Sequence, residues 1–204
     1  MFLSVFDIFK IGIGPSSSHT MGPMMAAGRF LDRLAATALP DGPLILGCRL
    51  YGSLAYTGEG HGTIRAVVCG LLGMVPATYD FGEADRALAE LGRSGTVRLR
   101  NGRVVALAPQ SVTTEKGKRL PAHPNGMTFF LADANGTEIV SESYYAIGGG
   151  FVLTAEELAA APARVGEGEV PFPFDNAVQM LAMGAQSGLS IAAMKRANEL
   201  ARGV

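Results

Sequence analysis

The chain is poor in the residue types that staple a fold, anchor it or attract polyanions. It has only two cysteines in 204 residues, Cys48 and Cys69, each inside an apolar run (GCRL and VVCGLL). Neither belongs to a CxxC pair, so no zinc ribbon or redox motif is predicted. Both are read as buried free thiols of a reducing compartment. Charge is also scarce: Asp, Glu, Lys and Arg make up 17% of residues, against roughly a quarter in ordinary globular chains. The 17 basic and 18 acidic residues leave a formal net charge of −1, with no block of either sign. This excludes the basic footprint of a DNA or RNA binder. No apolar run is long enough for a membrane span. The N-terminus, MFLSVFDIFKIGIG, is apolar but lacks a basic leader and carries Asp7 and Lys10, so no signal peptide is predicted. The expected location is the cytoplasm, with neither nucleic acid nor membrane as partner. Apolar residues reach 48%. With so little charge, part of this surface is expected to be covered by another domain or subunit.

Glycine, by contrast, is abundant, at 27 residues. It clusters at 12–22, 52–62 and 148–150, together with other small polar residues. Glycine permits positive φ and close backbone approach, so three such clusters point to a site built from loops. The length suits one domain with an appended segment, and the core needs no metal or disulfide to fold. Ser4–Phe9 reads as a helical turn. His19–Ala36 carries Met24, Ala27, Leu31 and Leu34 at helical spacing, with Pro23 in the first turn and Ser18 or Thr20 as cap. Leu44–Tyr51 reads as a strand, Thr63–Gly73 as a helix buried on most faces, and Gly82–Gly92 as an amphipathic helix. From Thr96 the period shortens to two, in TVRLRN, RVVALA and SVTTE. MTFFLAD-ANG-TEIVSESYYAIGG is a hairpin turned at Asn135-Gly136. A helix is expected near 155–160. Residues 161–174, with several Pro and Gly, read as a linker. Two short helices beyond it, 176–185 and 190–200, have no obvious partner in the chain, and two helices make no core alone. The predicted fold is α+β: a mixed sheet with helices on one face, a protruding hairpin and a short helical C-terminal extension.

All three histidines lie in glycine- or proline-marked polar segments. The first segment, Gly14-Pro15-Ser16-Ser17-Ser18-His19-Thr20, leads into a helix. Its N–H groups and three hydroxyls suit a carboxylate or a phosphate. No GK[ST] follows, so it is not a Walker loop. The second segment, Thr57-Gly58-Glu59-Gly60-His61-Gly62-Thr63, places His61 at the start of the next helix. That setting favours a neutral ring able to accept a proton, and makes His61 the candidate general base. The third segment is His123-Pro124-Asn125-Gly126, where Pro124 holds His123 extended and Asn125 offers both donor and acceptor. The bland alternatives are a serine-rich cap, a capping histidine and an Asn-Gly turn. A Ser-His-Asp hydrolase is disfavoured, because no GxSxG elbow is present and no Asp is placed to orient the histidine.

Taken together, SVFDIFKIGIGPSSSHTMGPM, YGSLAYTGEGHGT, HPNGM and AIGGGFV resemble, in order, the β domain of the bacterial iron–sulfur L-serine dehydratases (L-serine ammonia-lyases). The resemblance covers about residues 2–153. VPFPF and the following helix resemble the junction to the catalytic α domain in the single-chain form. The implied organisation is a β domain over 1–160, a linker over 161–174, and the helical start of the α domain over 175–204.

The resemblance implies conversion of L-serine to pyruvate and ammonia, a reaction of amino-acid catabolism that feeds gluconeogenesis, without pyridoxal phosphate. It implies a 4Fe–4S cluster whose open iron acts as a Lewis acid on the substrate hydroxyl. By motif match His61 is the base, and Ser16, Ser17, Ser18, His19, His123 and Asn125 hold the amino acid. The family's cluster cysteines lie in the α domain, and Cys48 and Cys69 match no ligand motif, so no metal site is expected in this chain. It is therefore expected to be silent alone, as a piece of a single-chain enzyme or a subunit awaiting its catalytic partner. A homodimer through an exposed sheet edge is expected. A rival reading is a regulatory L-serine-binding module, because the β domain also resembles the allosteric substrate-binding domain of some phosphoglycerate dehydrogenases. A purely structural interface domain is disfavoured by the three histidine segments.

Overall fold

The structure, a computed structural model, describes Ser4, residues 9–160 and residues 170–202. They fall into two units, one of Ile11–Glu156 and one of Met1–Lys10 with Glu157–Val204. The expected turn over Ser4–Phe9 rests on residues 5–8, and most of the expected linker on 161–169. Both stretches lie outside the described residues.

The larger unit is built on β1 (Leu44–Tyr51), β2 (Thr96–Arg98), β3 (Val104–Ala106), β4 (Val112–Glu115), β5 (Gly126–Asp133), β6 (Glu138–Gly148) and β7 (Phe151–Thr154). These strands form one seven-stranded sheet in the order β2-β3-β1-β5-β6-β7, with β4 also paired to β1. β1 runs parallel to β3 and β4 and antiparallel to β5, so the sheet is mixed, as expected. The hairpin β5–β6 does not protrude. β5 pairs with β1 along its whole length, from Leu44↔Asp133 to Leu50↔Met127, which makes the hairpin the middle of the sheet. Its apolar alternation is the reason, because Met127, Phe129 and Leu131 are fully buried and need a covered face.

Helices cover that face: α1 (Gly22–Ala35), α2 (Gly52–His61), α3 (Thr63–Leu71) and α4 (Phe81–Ser94); the short α5 (Ala155–Ala159) follows β7 and buries none of its residues. Leu44, Leu46, Cys48 and Leu50 alternate toward the helices, while Ile45, Arg49 and Tyr51 on the other face are half-buried. The expected stripe of α1 is buried in full: Met24, Ala27, Leu31 and Leu34, joined by Phe30. The Phe30 ring stacks on Phe129 at 5.7 Å, and Phe129 meets Tyr144 edge-on at 6.0 Å. Each large side chain sealed here contributes about 1.5–3 kcal/mol. Asp80 caps α4 by accepting from the Glu83 N–H at 2.7 Å.

Two local expectations are corrected. The helix expected from His19 opens instead with a wide five-residue π turn, Ser17–Met21, before α1. Its N-cap is Ser16, whose side chain makes no capping bond. The Thr20 hydroxyl turns back to the carbonyls of Ile13 (2.6 Å) and Ser16 (2.5 Å), so neither Ser18 nor Thr20 is the cap. Secondly, the polar stretch before Thr63 is not a loop, since Gly52–His61 is the helix α2.

The smaller unit contains α6 (Ala177–Ser187) and α7 (Ile191–Ala201). α7 is not without partners. The Asn198 side chain accepts from the Phe172 N–H and donates to the Phe172 carbonyl, both at 2.8 Å, and the Ser4 hydroxyl donates to Glu199 at 2.7 Å. α6, however, buries none of its residues. Among the described residues no single helix is long and apolar enough to cross a membrane. α6 and α7 reach that length only as a pair bent by 94°.

Candidate functional site

The site lies where the π turn, α2, the loop before β5 and the end of β6 converge. α2 forms although its cap residue, Tyr51, makes no side-chain bond and its sequence, GSLAYTGEGH, is rich in glycine. Tertiary packing holds it: Leu54 and Ala55 are buried in the core. Gly52 starts it at φ +52°, with the Pro124 carbonyl oxygen 2.2 Å from where a Cβ would stand. No side chain fits there, and the close approach docks the His123 loop on the helix. The Ser53 N–H then donates to that same carbonyl at 2.9 Å. Gly62, at φ +72°, breaks the chain between α2 and α3.

Helical spacing places Ser53, Thr57 and His61 on one stripe of α2. His19 reaches this stripe from the π turn. Its Nε2 lies 2.9 Å from the Thr57 hydroxyl and 3.1 Å from the Ser53 hydroxyl. On the other side its Nδ1 lies 2.9 Å from the Ser18 hydroxyl and 3.4 Å from that of Ser16. The Thr63 hydroxyl, fully buried at the start of α3, donates to the His19 carbonyl at 2.6 Å and fixes the backbone as well. The His19 and His61 rings stand 4.8 Å apart, centroid to centroid, tilted by 37°. Nδ1 of His61 bonds the Thr57 carbonyl at 2.7 Å. A carbonyl can only accept, so that nitrogen carries a proton and Nε2 of a neutral His61 is left as the acceptor.

His19 is nearly sealed from solvent, and its proton affinity lies below the ordinary histidine range. Burial is the main cause and the neighbouring His61 the second, while a hydrogen bond with the Ser53 backbone works the other way. His61 is half-buried. It closes α2 before it precedes α3, so the expectation of one helix N-terminus acting on it does not describe its setting.

The remaining candidates join at the edges. Ser17 Oγ accepts from the Gly149 N–H at 3.2 Å, tying the serine turn to the glycine run after β6. Asn125 locks the loop to β6: its Nδ2 donates to the Ala146 carbonyl and its own carbonyl accepts from the Ala146 N–H, both at 3.0 Å. His123 accepts from the Asn125 N–H through Nδ1 at 3.1 Å, and enters the cluster only through its neighbour Pro124. Ser16, Ser18, His19 and His61 therefore form one hydrogen-bonded and ring-contacting group, Ser17 is tied instead to the glycine run at Gly149, and His123 and Asn125 lie on the loop packed against α2. Ser53, Thr57 and Thr63 were not foreseen. The signal for the first two is the i, i+4, i+8 spacing Ser53-Thr57-His61, which has meaning only once the stretch is read as a helix.

The thiols are of another kind. Cys48 and Cys69 are free, fully buried and in separate core clusters. Burial pushes both above the usual thiol range, Cys48 most strongly. Among the described residues no group of three or more His, Cys, Asp or Glu side chains is placed to hold a metal ion. These residues do not fit a cluster site.

A family model described as serine dehydratase beta chain matches residues 4–157, three-quarters of the chain. The chain belongs to the serine dehydratase beta chain family. It is 41% identical over 202 residues to an L-serine dehydratase of Streptomyces coelicolor, covering 98% of this chain and 44% of that protein. It is 39% identical over 205 residues to L-serine dehydratase 1 of Escherichia coli, covering 98% and 43%. An L-serine dehydratase of Mycobacterium bovis is 44% identical over 156 residues, covering 76% and 34%. The chain thus spans less than half the length of these curated relatives. The four motifs that carry the resemblance to serine dehydratases all lie within the matched span, and the hydrogen bonds and ring contacts described above link residues from each of them.

Proposed function

We propose that this chain is the β-domain portion of an L-serine dehydratase, which converts L-serine to pyruvate and ammonia, and that it supplies the general base and most of the amino-acid grip. The observation that carries the reading is the His19–His61 pair, 4.8 Å apart, in which Nδ1 of His61 is occupied by the Thr57 carbonyl. The turn over 17–21 opens with backbone N–H groups and the hydroxyls of Ser16 and Ser17, donors suited to the substrate carboxylate. Ser18 and His19 back this cradle as a hydrogen-bonded pair. His123 and Asn125 close the far side and meet the amino group.

His61 takes the α-proton on Nε2, and the charge it gains is tolerated because His19 beside it stays neutral. The electron pair left on Cα forms the double bond as the Cβ–O bond breaks and the hydroxyl leaves as hydroxide, which with the proton held by His61 makes water, and aminoacrylate remains. This tautomerises to an imine, and water releases ammonia and pyruvate. The described residues offer no cluster ligands, so the 4Fe–4S group belongs, in this reading, to the catalytic part of the protein. No step assigned to this chain runs through it.

The test is reconstitution. The chain is combined with the catalytic portion of the protein, loaded with its cluster, and pyruvate release from L-serine is measured. Turnover is expected only when both parts are present. A catalytic portion that turns over equally well without this chain overturns the reading.

A further inference from the structure

Two imidazoles in ring contact need their protons assigned, and a single residue touches both. Thr57 offers His61 its carbonyl at 2.7 Å and His19 its hydroxyl at 2.9 Å. The carbonyl places the His61 proton on Nδ1. The hydroxyl has one proton, and it is directed at the Ser53 carbonyl at 2.9 Å, the usual back-bond of a helical threonine. Toward His19 the Thr57 oxygen is therefore an acceptor. A bare Nε2 would set two lone pairs against each other at 2.9 Å and leave only the more distant Ser53 hydroxyl, at 3.1 Å, to donate to it, so the neutral His19 carries its proton on Nε2. Its Nδ1 is then an acceptor, and the Ser18 hydroxyl, 2.9 Å away and free to rotate, donates to it.

We infer that Thr57 is a positioning residue that sets opposite tautomers in the two histidines: Nδ1–H in His61, leaving Nε2 as the base, and Nε2–H in His19, leaving Nδ1 to orient Ser18. This deepens the reading above and rests on it for its catalytic meaning. The tautomers themselves are properties of this chain and need no turnover to be measured.

The experiment is nitrogen NMR of the chain with ¹⁵N-labelled histidine, about 1.5 pH units above the ordinary imidazole value so that the rings are neutral. The wild type is expected to show the proton on Nδ1 of His61 and on Nε2 of His19. Thr57→Val removes the hydroxyl and keeps the carbonyl. The Nδ1–H form of His19 should then rise by about three- to tenfold, the worth of one hydrogen bond, with His61 unchanged. Thr57→Ser should restore the wild-type balance. A wild-type His19 protonated on Nδ1, or a Val variant with an unchanged His19, overturns the inference. The wild-type spectrum decides the first point even if the Val variant fails to fold. If the tautomers come out as stated while the reconstituted enzyme ignores the loss of His61, the base assignment fails and the tautomer assignment stands.

Discussion

Cys48 and His19 are both almost closed to solvent, with 0% and 9% exposure, yet they sit in opposite kinds of interior. Cys48 points into hydrocarbon, opposite Phe129 in the sheet register, and burial drives its thiol upward until the reactive thiolate is out of reach. His19 is buried among hydroxyls, bonded at both ring nitrogens and kept neutral by burial and by His61. The lesson is that burial alone does not decide whether a group is chemically useful. Its polar partners do.

Three substitutions probe that contrast, in falling order of expected effect. Phe129→Ala empties the stack between Phe30 and Tyr144, beside Cys48. It should cost about 3–5 kcal/mol in urea unfolding, and a loss below about 1 kcal/mol would mean the hydrocarbon region is not the rigid half of the comparison. Gly52→Ala forces a side chain into a positive-φ position 2.2 Å from the Pro124 carbonyl oxygen. A cost of about 1–3 kcal/mol is expected, together with loss of the bond from the Ser53 N–H to Pro124, visible as faster hydrogen exchange at Ser53. Unchanged exchange there would separate the His123 loop from the site.

The smallest effect is on pH dependence. His19 binds its proton more weakly in the folded chain than in the unfolded one. As pH falls below about 6.5 the unfolded chain takes up a proton that the native state resists. The stability contributed by the neutral ring is thus complete above that value and is lost as pH falls toward the lowered native value. His19→Gln should flatten this slope in denaturant titrations between about pH 7 and 5. An identical slope in wild type and variant would mean that His19 does not sense its surroundings as described.

Much of this was legible in the residues, wherever the signal is local. β1 ends where its apolar alternation ends, at Leu44 and Tyr51, and the hairpin turns at Asn135-Gly136, where the Gly136 N–H closes on the Asp133 carbonyl. The parallel pairings of β1 with β3 and β4 leave no local trace, because parallel neighbours are joined through long crossovers. α2 was missed for a related reason. Its glycines argue against a helix, and the contacts that hold it come from the core under Leu54 and from the distant Pro124. The cost of that miss fell on the site. His19 and His61 stood out by their residue type, whereas Ser53 and Thr57 become functional candidates only on a helical stripe ending in His61. Family membership and the polar motifs survive that error, since both depend on residue identity rather than on the conformation assigned to it.

The central claim is that His61, with Nδ1 held by a carbonyl, is the base that takes the substrate's α-proton. Its most direct test is pyruvate release by the reconstituted enzyme after His61→Ala. A fall of about 10²- to 10⁴-fold in kcat, with the fold intact by circular dichroism, is the predicted result. Turnover near that of the wild type would contradict the account.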